Sequence, residues 1–91
     1  MTQYETAEGF TVEVDPDSRT GWVSGRTGMT LAAIVTPNGA SFLSDSGSDY
    51  RRHQFPTLVV DVLAHLSGEL VQKLGNLLED ALATADAQDV P

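Results

Sequence analysis

The chain has 91 residues, no cysteine and a formal net charge of −8 at pH 7. This length corresponds to one domain with a small core, and the lack of cysteine excludes a disulfide framework and a thiolate metal site. The acidic balance opposes direct contact with phosphate backbones, which requires clustered Lys and Arg. It favours basic partners instead.

The first residues contain acids and no apolar run, and the longest uninterrupted apolar stretch covers only a few residues. This pattern predicts neither a secretory leader nor a membrane span. We therefore expect a cytoplasmic protein, which for a phage-encoded chain means the host cytoplasm or the virion.

Alternating apolar and polar residues predict the first strands. Residues 10–15 alternate as a half-buried strand does, and residues 19–24 return as its partner after an Asp-Pro turn. Residues 30–36 are apolar on both sides, as a central strand is, and residues 40–44 follow a Pro-Asn-Gly turn. The expected sheet is a four-stranded antiparallel meander, with Trp22 in the core.

Apolar residues at helical spacing over 57–85, after a Phe-Pro pair, predict one long C-terminal amphipathic helix packed on this sheet. Such a helix spans about 42 Å at about 1.5 Å per residue, whereas four strands span about 20 Å. Its first half is apolar nearly all round, which is typical of a helix buried on more than one side. A second copy, a foreign partner or a helix folded back near Ser67 and Gly68 would cover the excess.

The predicted fold class is therefore α+β, with a small antiparallel sheet followed by one long helix. We expect a flexible N-terminus over residues 1–9, a single domain over 10–85 and a flexible tail over 86–91.

The loop after the second predicted strand reads Gly25-Arg26-Thr27-Gly28, and Leu31 follows it at close spacing. Residues 23–34 resemble the core of a KH nucleic-acid-binding domain, in which a Gly-x-x-Gly loop clamps the nucleic-acid backbone. The resemblance implies a helix on each side of the loop. Without it, the loop is interpreted as a glycine-rich strand connection with Arg26 in solvent.

Two groups of residues are candidates for partner contacts. Tyr50, Arg51 and Arg52 combine basic charge with an aromatic ring, and Arg and Tyr are over-represented at binding hot spots. We expect these three to form a recognition edge. The apolar stripe of the predicted 57–85 helix is the second candidate, through which a homodimer is expected to form. Its members are Val60, Leu70, Leu74, Leu78 and Leu82.

Catalytic and metal-binding patterns are weak. His53 and His65 lack a ligand or base at the usual helical spacing apart from Asp61, which lies four residues before His65. The stretch from Asp45 to Asp49 lacks the Gly and Glu of a calcium loop. The sequence therefore predicts no enzyme activity, no catalytic residue, no metal and no cofactor.

The leading functional prediction is a small acidic protein-binding module, a regulator or inhibitor that occupies a surface of a larger protein. Many phage-encoded and bacterial regulators share this size and charge. The alternative is a structural or assembly subunit, such as a virion or scaffold component, that self-associates through its helix. A third hypothesis is nucleic-acid binding through the loop at residues 25–28.

Overall fold

One antiparallel sheet and one C-terminal helix make up the described part of the chain. The structure, a computed structural model, describes residues 2–35 and 49–88. The elements in chain order are β1 (Thr2–Glu5), β2 (Thr11–Asp15), β3 (Thr20–Ser24), β4 (Thr30–Ile34), β5 (Tyr50–Gln54), β6 (Val59–Leu63) and α1 (Gly68–Gln88). The predicted α+β class is confirmed, with six strands in place of about four.

The sheet has the strand order β1-β2-β3-β4-β6-β5, and every neighbouring pair is antiparallel. The first four strands form a meander, in which β2, β3 and β4 correspond to the first three strands of the predicted one. The last strand in sequence, β6, lies between β4 and β5, so β4 and β5 run parallel to each other. The strand predicted at residues 40–44 lies outside the described residues.

The prediction of one continuous helix over 57–85 is wrong in its first part. Val59–Leu63 forms β6, and its valines are β-branched residues that favour strands. A central strand has both faces buried, which accounts for the segment's apolar character all round. The pattern that was interpreted as a doubly buried helix therefore belongs to a doubly buried strand.

Ser67 directly precedes α1 and acts as its N-cap. The Ser67 carbonyl accepts a hydrogen bond from Val71 N at 2.9 Å, and its Oγ accepts one from Leu70 N at 3.3 Å. The 21 residues of α1 span about 32 Å, and six strands span about 29 Å. The excess helix length from which a covering partner was expected therefore disappears.

The core lies between the helix and one face of the sheet. Strand residues on this face alternate with residues on the other face, as the predicted inward positions Val12 and Val14 do. The buried apolar side chains that the two layers contribute are Val12, Val14, Val23, Ala32, Ile34, Val60, Val62, Leu74, Leu78, Ala81, Leu82 and Ala85. Trp22, expected in the core, lies half-buried on the face away from α1, since its strand neighbours Gly21 and Val23 are the buried ones.

Polar contacts at the rim fix the position of α1. Arg19 Nη1 donates to Asp86 Oδ2 at 2.6 Å, which joins the turn between β2 and β3 to the last part of the helix. Thr57 donates from its backbone N and its Oγ1 to Glu79 Oε1, at 3.0 and 3.2 Å. The turn between β5 and β6 is thereby joined to the middle of the helix.

The chain ends also differ from the sequence analysis, which did not predict β1. Thr2–Glu5 pairs with β2, with Tyr4 opposite Val12. The helix continues to Gln88, beyond residue 85 where it was expected to end.

The ring of Phe55 lies directly on Gly75 of the helix, where a Cβ atom would overlap it. We expect Gly75→Ala to lower the free energy of unfolding by about 1–2 kcal/mol through overpacking, although Ala is the better helix former. Urea denaturation measures the difference. Gly68→Ala is the matched control, because a Cβ at Gly68 meets nothing within 4 Å. Equal stability of the Gly75→Ala variant and the parent would contradict this packing.

Candidate functional site

β5 forms one outer edge of the sheet among the described strands, and it is the basic part of an acidic chain. The polar stretch over residues 45–54, expected to be a loop, is a strand from Tyr50 onward. Arg51 and Arg52 are exposed, and Tyr50 and His53 are half-buried. The structure therefore places the three predicted recognition residues side by side on a sheet edge.

Hydrogen bonds at the two ends of β5 show which backbone groups face β6. Ala64 N donates to Asp49 O at 3.0 Å, and Phe55 N donates to Leu58 O at 2.8 Å. In an antiparallel pair, alternate residues bond to the neighbouring strand. Residues 49 and 55 both face β6, so the odd-numbered residues between them face it as well.

The even-numbered residues of β5 point their backbone groups the other way. Arg51 and His53 bond toward β6, whereas the N–H and C=O groups of Tyr50, Arg52 and Gln54 point to the outer side. No strand of the described chain pairs with that side. A row of donors and acceptors that no described strand pairs with can template a further strand.

Intrachain hydrogen bonds hold the side chains of this edge in place. Arg52 Nε donates to Asp61 Oδ1 at 3.1 Å; the Asp61 side chain is 11% exposed and the Arg52 side chain 53%. Tyr50 Oη reaches across β6 and donates to the carbonyl of Thr30 at 2.8 Å. Arg52 is thus oriented by a buried carboxylate while half of its side chain remains in solvent.

A cleft lies at each end of β5. The cleft at the carboxyl end has a volume of about 620 Å³ and is lined in part by Arg52, Gln54, Phe55 and Leu58. The cleft at the amino end has a volume of about 420 Å³ and is lined by Met29, Asp49, Arg51, Leu63, Ala64 and His65. Each cleft therefore combines an arginine of β5 with apolar side chains.

The apolar stripe that was the second candidate surface lies within the chain's own core. Val60, Leu74, Leu78 and Leu82 are buried in the packing between sheet and helix, and Leu70 is partly buried against them. Other side chains of the same chain cover them, and they cover Leu70 only in part. A homodimer stays a prediction, and it would require a different surface.

The loop at residues 25–28 joins β3 to β4 as a hairpin. Gly25 N donates to Met29 O, and Gly28 N donates to Gly25 O, both at 3.0 Å. Gly28 has a φ of 82°, a conformation that glycine adopts without steric cost. The flanking elements are strands and not the helices that the KH resemblance implies, so the loop is a glycine-rich strand connection.

Within residues 2–35 and 49–88, no group of three or more His, Asp or Glu side chains is placed to hold a metal ion. Asp45, from the acidic stretch considered for calcium, lies outside the described residues. No helix in the described part of the chain is both long and apolar enough to cross a membrane.

Comparisons of the chain with models of known protein families, with curated proteins and with solved structures give no match. No function can therefore be transferred from a relative. A functional proposal therefore depends on the geometry of the described residues, among which the edge strand β5 has a cleft at each end.

Tyr4, on the opposite edge strand β1, has an altered proton affinity. Burial raises the pKa of its phenol above the ordinary value, and the negative charge of Asp80 on α1 raises this pKa further. The folded chain therefore holds the phenolic proton more tightly than the unfolded chain does. This contribution to stability is complete below the ordinary tyrosine pKa of about 10 and is lost as the pH rises through the folded pKa.

We expect Asp80→Asn to lower the pKa of Tyr4 while leaving it above the ordinary value, because the burial remains. Ultraviolet absorbance titration in a Tyr50→Phe background measures this pKa alone. Asp17→Asn, a substitution in the turn between β2 and β3, is the charge-matched control. An unchanged pKa in the Asp80→Asn variant would contradict the electrostatic effect of Asp80 on the Tyr4 phenol.

Proposed function

We propose that the chain is a small, acidic, non-catalytic protein-binding module that takes an extended acidic strand of a partner protein at the β5 edge. The observation that supports this most is the row of outward backbone groups at Tyr50, Arg52 and Gln54 beside two exposed arginines. A strand added to such an edge gains main-chain hydrogen bonds, and its side chains supply specificity.

The charges of β5 favour an acidic partner strand. Arg51 lies opposite Val62 on the helix side of the sheet, and Arg52 lies opposite Asp61 on the other side. Consecutive side chains of an added strand also point to opposite faces. Two adjacent acidic residues in that strand would each meet one arginine, and opposite charges across strands contribute about 0.2–1 kcal/mol per pair.

The two clefts give an added strand places for larger side chains. Each lies at one end of β5 and has apolar residues in its wall, such as Phe55 in one and Met29 in the other. The favoured partner segment therefore has acidic residues in its middle and apolar residues toward its ends.

The two arginines of this edge are suited to binding. Arg51 and Arg52 supply positive charge and several hydrogen-bond donors. The proposed mode of action is occupancy: a partner strand held at β5 is withdrawn from its other contacts. A regulator or inhibitor acts in this way.

The test is binding of a short fluorescein-labelled peptide in which two adjacent Glu residues are flanked by Thr and Val. We expect the chain to bind this peptide in preference to its counterpart with Lys in place of Glu. Arg51→Glu should weaken binding about fivefold to tenfold, because an attraction across strands becomes a repulsion. Fluorescence anisotropy at low and moderate salt measures both effects.

Arg26→Glu is the matched control, because it makes the same charge change at an exposed loop residue away from β5. We expect it to leave the peptide affinity nearly unchanged. Equal weakening by both substitutions would show a non-specific charge effect, and no preference for the acidic peptide would refute the proposed recognition.

A further inference from the structure

The strand at the other outer edge of the described sheet, β1, is itself short, extended and acidic. Thr6 N donates to Phe10 O at 2.8 Å where β1 turns into β2. Alternate residues of an antiparallel pair bond to the neighbouring strand, so Thr2 and Tyr4 bond to β2 as Thr6 does. The backbone groups of Gln3 and Glu5 therefore point outward. β1 thus shares two features with the strand that β5 is proposed to take, namely an outward backbone edge and an acidic residue, Glu5.

The directions of the two edge strands also match. The sheet contains six strands with every neighbouring pair antiparallel, so β1 and β5 run in opposite directions. A second copy in the same orientation would bring its β1 alongside β5 as an antiparallel neighbour. The sheet would continue across the joint without a change of pattern, and the helices of both copies would lie on the same side.

The geometry points to a specific occupant of the β5 edge, namely β1 of a second copy of this chain. The register that fits places Glu5 of one copy opposite Arg52 of the other and Gln3 opposite Gln54. All four residues point their backbone groups outward, so both pairs are hydrogen-bonded, and the first joins opposite charges. This inference rests on the proposed function of β5.

Charge disfavours the symmetric alternative, in which two copies join through β5. The register that pairs the whole strand is centred on Arg52, and it would place Arg52 opposite its own equivalent. Like charges directly opposite each other destabilise a strand pair. The two arginines therefore prevent one kind of self-pairing and favour the head-to-tail kind.

Head-to-tail pairing has two consequences. Each added copy covers one β5 and leaves another free. The interface therefore does not close into a symmetric dimer, and the copies form linear oligomers of different lengths. A copy whose β5 is covered by a neighbour cannot take a foreign strand there. Self-association and capture of another protein therefore exclude each other.

Two proline variants, each blocking one edge, test this inference. Gln3→Pro removes an outward N–H from β1, and Gln54→Pro removes one from β5; neither removes a hydrogen bond within the sheet. In sedimentation velocity over a concentration series, the parent should form oligomers of increasing size. Each variant alone should stay monomeric. The mixture of the two should form a heterodimer and nothing larger, because only one competent β1 and one competent β5 are present.

Other outcomes overturn the inference. A dimer of the Gln54→Pro variant alone would show symmetric pairing through β1, and a dimer of the Gln3→Pro variant alone would show symmetric pairing through β5. A mixture that stays monomeric would refute the pairing of β1 with β5, provided that both variants keep the urea midpoint of the parent and are therefore folded. Glu5→Lys leaves the backbone intact and should weaken association of the parent about fivefold to tenfold, because one attraction becomes a repulsion, whereas Asp17→Lys, the same charge change in a turn, should not.

The peptide assay separates failure of this inference from failure of the proposed function. The Gln3→Pro variant retains an intact β5 and should bind the acidic peptide. Binding without heterodimer formation would refute self-pairing and leave β5 as a site for a foreign strand. If the variant neither binds the peptide nor forms the heterodimer, the β5 site itself is refuted. Glu5→Gln in the Gln54→Pro partner should weaken the heterodimer by up to about fivefold, the effect of one exposed ion pair.

Discussion

The burial of both faces of β6 is the constraint on which the rest of the structure depends. This strand lies between β4 and β5, with Val60 and Val62 in the core under α1. On the other face it carries Asp61, a buried carboxylate that binds Arg52. A buried carboxylate without a charged partner is costly, so Asp61 determines where Arg52 lies. The position of β6 thus makes β5 an edge strand and gives that edge its charge.

Because of this arrangement, we propose an edge of the sheet, and not the helix, as the binding surface. The sheet covers most of the apolar side of α1, and contacts at the rim, such as Arg19 with Asp86, hold the helix against it. Among the described strands, the two edge strands, one acidic and one basic, have outward backbone groups. Proteins commonly protect edge strands with charges. Here the charges of the two edges are opposite, and we propose that they disfavour pairing of like edges and favour pairing of unlike ones.

Much of the fold could be predicted from the sequence, because two signals are strong. Alternation identified β2, the Asp-Pro turn placed β3 after it, and helical spacing identified the part of α1 that contains Leu74 and Leu78. The failure at residues 59–63 has a physical cause, since a short apolar run fits a buried strand and a buried helix equally well. The three valines there, followed by the N-cap Ser67, were the signal that could have separated the two. Tyr50, Arg51 and Arg52 lie on one strand, and their role in recognition stays a prediction. The edge geometry of that strand depends on β6 and is not a local property of the sequence.

Residue-resolved amide hydrogen exchange in dilute solution tests the central claim most directly. The insertion of β6 predicts slow exchange on both sides of that strand and an alternating pattern in β5. The amides expected to exchange slowly are those of Arg51, His53, Val60, Asp61 and Val62, and those expected to exchange fast are Tyr50, Arg52 and Gln54. Uniform protection along β5 would show that its outer edge is already covered. Helical connectivity over residues 59–63 would show that β6 does not exist.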